Sequence, residues 1–534
     1  MNIRKALLPF IPSPVLRIYR KIKRYFVSER RKFKTTGTNV AEIKRIHLNE
    51  ALMKEKHVDA VKILGYLNWD NPFNTNDYGK YQFLEKEYKI ENNTEIELAF
   101  NNYGFWTLDV LYYRDNRIVT KEKRTIKVEA PEYNIAYLAA TLPVLFFLFY
   151  LWKISGTKSP TILGLERVLF DYKALPENVF PFPLASEEDL NTAYKGFNKY
   201  AQRLVAYIGM LNKMNPDARF NLYLCDHQAY YALPLLYANR IPEKKFTVHL
   251  LSDGTGSYEC FHHVFGLNGA EKLYADMQKT WTLAKQEAVT TGVQKWGEEV
   301  FCHCGDPCVA ERVSSRNMVE ELANRFAYSY VMTNTNNNYE LILHNINLLR
   351  GNQKILDMMT DRVHNIDFED GKKQFSKHIA ELCKMIGIKY PPFEQSKKQG
   401  KKICILLGNF PYVEKDDKYI SKTIEYWGTD YNYYLKDHPW VKDDRRRIET
   451  LKSKGITALD SKIPIEIFMM MDAKVYIAGY LSSSFLSIDL LDNPKEQILS
   501  IWDMENCRIK TNCLDFTAKT AMNVESDSVI VYDR

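Results

Sequence analysis

A chain of 534 residues exceeds one ordinary hydrophobic core, which serves roughly 100–200 residues, so its length implies about three domains. Hydrophobic residues make up 46% of it, with 35 Tyr and 27 Phe, which excludes global disorder. The net charge of +7 is unevenly held: residues 1–34 carry eleven Lys and Arg against one Glu, a net of +10, which leaves −3 over the other 500 residues.

In the basic head, Val15, Leu16, Ile18, Tyr19, Ile22, Tyr25 and Phe26 recur at helical spacing between Arg17, Arg20, Lys21, Lys23 and Arg24. That pattern is a basic amphipathic helix of the kind that lies on an anionic membrane surface, and a solvated basic tail is the alternative. Nucleic acid is not an expected partner, because no basic patch follows in the body. Pro9, Pro12 and Pro14 interrupt the apolar stretch before the helix and no cleavage site follows, so a secretion signal is not expected.

Residues 57–130 change to short runs of period-two character, VKILGYLNW, YQFLEKEYKI, TEIELAF, WTLDVLYYRD and RTIKVEA, separated by turn signals such as NPFNTNDYG and NNYG. A small immunoglobulin-like β-sandwich is the expectation. The uncharged run Ile135–Trp152 reaches the lower limit for a membrane span. Its preferred reading is a buried strand over Ile135–Leu138, a loop over Ala139–Thr141 and a helix from Leu142 with Pro143 in its first turn.

Strands and helices then alternate, with FNLYLCD, a helix through Tyr230–Ala238, and FTVHLLSDG. This is α/β wiring with a mostly parallel sheet. Residues about 265–385 read as a helical excursion, for example Ala270–Ala288 and Met318–Phe326. Residues 386–402 read as a linker, after which KICILLGN, TDYNYYLKDHPW, the helix IEIFMMMD and the strand AKVYIAG begin a second α/β domain. The predicted division is a basic segment 1–56, a β-sandwich 57–130, a Rossmann-like domain 131–390 and a second Rossmann-like domain 391–534. Two such domains across a cleft suit a nucleotide-activated donor, and no GxGxxG or P-loop points to NAD or ATP.

Nine cysteines, among them Cys225 and Cys404 inside apolar runs, fit reduced thiols better than a disulfide framework. Cys302, His303, Cys304 and Cys308 have the residue types of a metal site without the paired spacings of a zinc knuckle. Three other segments stand at expected strand ends: Ser252-Asp253-Gly254, Lys436-Asp437-His438-Pro439 and Ser482-Ser483-Ser484. A carboxylate on a turn can serve as a base, a histidine can hydrogen-bond a leaving phosphate, and consecutive hydroxyls can cradle it. Taken singly, each segment is also an ordinary turn, loop or helix cap.

In their order these motifs resemble the bacterial GT-B sialyltransferases of glycosyltransferase family 80, over roughly residues 134–534. YLAATLPVL is similar to the family's first strand and helix, GLER and DHQAYYALP to acceptor motifs, LLSDGTGSYE to its aspartate-aspartate-glycine motif, LKDHP to its histidine-proline motif, and IPIEIFMMM with SSSFLSI to its nucleotide-binding helix and serine pair. Some family members also carry an immunoglobulin-like domain ahead of the catalytic pair.

The resemblance implies a GT-B fold and an inverting transfer of sialic acid from CMP-Neu5Ac to a galactose-terminated glycan acceptor, such as lipooligosaccharide or capsule. It implies a bacterial, cytoplasmic enzyme, which the basic head would hold against the inner membrane. On the donor side, Lys436 and Glu466 would hold cytidine and ribose, with Pro439 beside them in the motif. His438 would stabilise the departing phosphate and Ser482, Ser483 and Ser484 would bind it. Gly408 and Asn409 fall on a donor-side loop, while Arg167, His227 and Tyr412 fall on the acceptor side.

The family's base position matches Ser252, which cannot deprotonate a sugar hydroxyl unaided. Asp253, Asp226 or His227 could replace it, or the chain could be impaired; Asp253 is the base adopted here. No metal or other cofactor is expected, since histidine and hydroxyl donors suffice for a CMP leaving group. The competing readings are another CMP-keto-sugar transferase, such as one using Kdo, and a non-catalytic glycan-binding protein.

Overall fold

The structure is a computed structural model, and it describes residues 39–68, 81–90, 94–138, 150–165, 171–182, 199–225, 228–229, 232–233, 236, 241–252, 339–343, 363–365, 368–387, 393–408, 416–438, 445–461, 463–465, 467–468, 475–479, 498–502 and 529–533. The basic head, the start of the expected helix at Leu142, the Ala270–Ala288 and Met318–Phe326 helices and the Cys302–Cys308 cluster lie outside them.

The first unit is antiparallel. Its strands are β1 (Glu42–His47), β2 (Ala60–Asn68), β3 (Tyr81–Lys89), β4 (Glu95–Phe100), β5 (Gly104–Arg114) and β6 (Arg117–Val128). They form a four-stranded sheet in the order β3-β2-β5-β6 and a two-stranded sheet β1-β4. Strict alternation in β5 buries Trp106, Leu108, Val110 and Tyr112 on one face, and Ile96, Leu98 and Phe100 of β4 lie in the same core. The described residues thus give six strands in sheets of four and two, where an immunoglobulin constant-type sandwich has seven.

The unit also begins earlier than its period-two runs suggest. β1 and the Glu50–Lys56 helix, capped by Asn49 accepting from the Leu52 N–H at 3.1 Å, contribute Ile46 and Met53 to its core.

The second unit is a seven-stranded parallel sheet of β7 (Glu132–Leu138), β8 (Thr161–Leu165), β9 (Val179–Pro181), β10 (Arg219–Cys225), β11 (Phe246–Leu251), β12 (Tyr339–Leu343) and β13 (Val363–Asn365), ordered β13-β12-β11-β10-β7-β8-β9. β7 claims the start of the apolar run at 135–152 for the sheet interior. The fourteen residues left would make a helix of about 21 Å, short of the roughly 30 Å of a bilayer core. Among the described residues no helix is long and apolar enough to cross a membrane.

Two expectations are corrected here. Within the stretch read as helical, YELIL and VHN are strands β12 and β13; a short apolar run such as YELIL has no periodicity that separates a buried strand from a buried helix, and three residues are too few to show any period. Within the expected linker, the Glu394–Lys398 helix buries Ser396, and Phe393 enters the core.

The Lys199–Met214 helix is buried over most of its length, Gln202 and Arg203 included. It joins the first two units. Tyr207 donates from its hydroxyl to the Tyr103 carbonyl at 2.6 Å, and Tyr103 makes edge contacts with Tyr133 and Phe180 at 5.7 and 5.2 Å. Gly104, at φ +140°, brings the backbone so close that a Cβ there would lie 2.6 Å from both Leu67 Cδ1 and Met210 Cε. One apolar core consequently runs from the β-unit into the first parallel sheet.

The third unit is a six-stranded parallel sheet of β14 (Lys402–Leu407), β15 (Tyr431–Lys436), β16 (Thr457–Ala458), β17 (Val475–Gly479), β18 (Ile498–Trp502) and β19 (Val529–Asp533), ordered β16-β15-β14-β17-β18-β19. A second core holds Leu138, Leu165, Leu251 and Ile342 from the strand ends of the first parallel sheet together with Ile405, Leu407, Tyr434 and Ile477 from this one. Leu382, Cys383 and Met385 of the Phe368–Ile386 helix lie in it too. That helix is broken at His378 (φ −117°, ψ 19°), whose ring stacks on Trp152 at 4.7 Å.

Candidate functional site

In a parallel sheet every strand ends at the same edge, and the loops leaving that edge carry the ligand-binding groups. β14, β15 and β17 lie side by side, with Leu407 level with both Lys436 and Gly479. The chain leaves them at Gly408, at Asp437-His438 and beyond Gly479. Three of the residues named from sequence, Gly408, Lys436 and His438, therefore meet at one sheet edge.

Gly408 donates its N–H to the Lys436 carbonyl at 3.0 Å, extending the ladder one residue past β14. A Cβ on it would stand 2.3 Å from Asp437 Oδ1 and 3.2 Å from Asp437 Cα, so any larger residue at this crossing would force Asp437 to shift. Lys436 is buried at 7% exposure, and its ammonium donates to the carbonyls of Asp437 and Ser461, each at 2.8 Å. Two carbonyl dipoles compensate the buried cation. The same bonds tie the end of β15 to the segment that follows β16. Lys436 thus shapes the edge from within, a role that LKDHP alone does not disclose. His438, two residues on, is exposed at that edge.

In the first parallel sheet, Ser252 follows β11. Its N–H donates to the Ile342 carbonyl at 3.1 Å, and the residue is fully buried. Ser252 is thus a rung between β11 and β12, and Asp253 follows it in the sequence. Asp253, Asp226, His227, Arg167, Asn409, Tyr412, Pro439, Glu466, Ser482, Ser483 and Ser484 lie outside the described residues.

Sequence reasoning missed one polar row. Tyr223, His249 and Glu340 are level on β10, β11 and β12. The Tyr223 and His249 rings stack at 4.5 Å, and His249 Nδ1 lies 2.9 Å from Glu340 Oε2. The imidazole N–H holds the Glu340 carboxyl below its usual range, while burial pushes the Tyr223 hydroxyl up. Residues this far apart in sequence leave no local motif. The row sits in the body of the strands, away from the edge that carries Ser252.

No protein-family model and no curated protein matches the chain by sequence. Its fold does match solved structures. The α/β-galactoside α-2,3-sialyltransferase of Photobacterium phosphoreum aligns at TM-score 0.54 and 12% identity, over 76% of this chain and 99% of that one. The GT-B domain of a Photobacterium damselae sialyltransferase aligns at 0.53 and 16%, over 75% and 100%. A 2,6-sialyltransferase of Photobacterium sp. JT-ISH-224, solved with CMP and lactose, aligns at 0.51 and 14%, over 93% and 97%. Residues 131–534 are about three-quarters of the chain, so the longest of these alignments takes in the β-unit as well. The chain is α/β with parallel sheets and has the fold of bacterial sialyltransferase structures, GT-B included.

Proposed function

We propose that this chain is an inverting, metal-independent sialyltransferase that moves sialic acid from CMP-Neu5Ac to a galactose-terminated acceptor. The observation that carries the reading is the edge at which Gly408, Lys436 and His438 converge, within a fold shared with sialyltransferases. A parallel-sheet edge presents backbone groups and loop side chains to a phosphate.

In this reading His438, exposed at the edge, donates a hydrogen bond to the phosphate of the departing CMP. Lys436, already bonded to two carbonyls, holds the donor loop in place. Pro439, Asn409 and Glu466 line the nucleotide, and Ser482, Ser483 and Ser484 supply hydroxyls to the phosphate. The acceptor lies against Arg167, His227 and Tyr412. Its hydroxyl loses a proton to Asp253 as the sugar takes on oxocarbenium character. The burial of Ser252 in the β11-β12 ladder supports moving the base one residue on. The basic head at residues 1–34 holds the enzyme at an anionic membrane face, on the cytoplasmic side, where a lipid-borne lipooligosaccharide or capsular acceptor is presented.

The test is CMP release from CMP-Neu5Ac and from CMP-Kdo, with a panel of galactosides and linkage analysis of the products. Release from CMP-Neu5Ac that depends on a galactoside and survives a chelator is expected. Release from CMP-Kdo alone, or glycan binding with no release, overturns the reading. Asp253→Asn should lower turnover at least about 100-fold, and near-normal turnover would move the base elsewhere.

A further inference from the structure

The β-unit carries a surface that the transfer reaction does not use. β5 and β6 are joined by a two-residue turn in which Asp115 (φ 51°) and Asn116 (φ 61°) are both left-handed, pairing Arg114 with Arg117. Just beyond, the register slips: Tyr113 pairs with Ile118 and Tyr112 with Thr120, which leaves Val119 as the extra residue of a bulge. A bulge breaks the alternation of faces, so two successive apolar side chains turn outward. Ile118 is 56% exposed and Val119 37%, and they are two of only four large hydrophobics so exposed among the described residues.

The strand that carries them is cationic, although Asp109 of β5 stands opposite Lys123. β6 carries Arg117, Lys121, Lys123, Arg124 and Lys127 against the single acid Glu122, and all of these cations but Arg124 are exposed. Glu122 is already bound by Arg124 at 2.8 Å and by the Tyr112 hydroxyl at 3.0 Å. At the turn, Arg114 lies 3.6 Å from Asp115, whose N–H donates to Asp59 Oδ2 at 2.7 Å. Lysines on an edge strand discourage pairing with another chain, and that accounts for the charge. It does not account for an exposed isoleucine and valine, which invite such pairing. Apolar side chains at a turn, followed along the same edge strand by a run of cations, match an anionic bilayer: the aliphatic groups enter the headgroup boundary and the cations meet lipid phosphates.

We propose that the β5-β6 hairpin, from Arg114 to Lys123, is a contact site for anionic phospholipid, separate from the basic head. The test uses the full chain with Ile118→Cys carrying an environment-sensitive fluorophore, and the parent chain treated identically as background. The expected result is a blue shift, with quenching by bilayer-embedded quenchers, on vesicles of phosphatidylcholine containing phosphatidylglycerol. Phosphatidylcholine alone and soluble heparin should leave the label unchanged.

Lys121→Gln with Lys123→Gln should weaken vesicle binding roughly 25-fold, at about fivefold per cation, with transfer to a soluble acceptor unchanged. Four outcomes overturn the proposal: a silent label on a chain that still co-sediments, an equal response to heparin, no co-sedimentation, and full vesicle affinity in the lysine variant. None of these readouts depends on the chain transferring sugar.

Discussion

Replacing Gly408 by alanine tests whether the sheet edge is as tightly built as its geometry implies. The added Cβ would lie 2.3 Å from Asp437 Oδ1, 3.2 Å from its Cα and 3.4 Å from its Cγ. The carboxylate oxygen can swing away by side-chain rotation. The Cα cannot move without shifting the end of β15, and carbon atoms settle at about 3.5–4.0 Å, so the two strand ends must part by at least about 0.3 Å. Overpacking of this kind costs about 1–3 kcal/mol, a fall of roughly 2–10 °C in the thermal transition of a domain this size.

The shift does not stay local. It lengthens the 3.0 Å bond from Gly408 to Lys436, and the Lys436 ammonium carries the strain to Asp437 and Ser461. A 1 Å misplacement in an active site can cost about 100-fold, so a shift of about 0.3 Å should cost roughly fourfold. Steady-state kinetics of the Gly408→Ala variant should show the loss in kcat/KM for the donor, with acceptor KM unchanged. A less stable variant with wild-type donor kinetics would make Gly408 a packing residue only. Unaltered stability and kinetics together would refute the crossing itself.

Gly104→Ala should destabilise the chain by about 2–5 kcal/mol, combining an unfavourable φ with the collision on Leu67 and Met210; urea unfolding measures it, and Met210→Ala on the same background should recover part of the loss. An unfolding midpoint equal to wild type would contradict the close docking of the β-unit on the Lys199–Met214 helix. Glu340→Gln addresses the His249 pair. A depressed carboxyl pKa contributes stability that is present above the ordinary value of 4.5 and is lost as pH falls through the lower folded value. The wild-type advantage over Glu340→Gln should accordingly be full near pH 6 and shrink below about 4.5, and a difference independent of pH would mean that the bond does not hold the carboxylate.

Much of the fold was legible because each element carries its own period. The alternation in WTLDVLYYR and the turn signals around it mark β5, and KICILL and YNYYLK mark β14 and β15 of the third unit. The early start of the β-unit escaped because EIKRIH and EALMKEK are mostly polar, with one buried residue apiece. β12 escaped because burial on both faces erases the alternation that would betray a strand, and β13 because three residues are too few to show a period. At the site, LKDHP pointed to Lys436 and His438 as a local motif, while the Gly408–Asp437 crossing joins residues 29 apart.

By itself the sequence determined the succession of a β-unit and two α/β units, the charge division between head and body, and the order of the motifs that resemble sialyltransferases. These are local properties, written in spacing and composition. Only the tertiary structure decided that the β-unit shares a core with the first parallel sheet, that Lys436 spends its ammonium on two backbone carbonyls, and that Ser252 ends inside a strand ladder. Each of those depends on which distant segments pack side by side, since burial and hydrogen-bond partners belong to the pair in contact and to neither segment alone.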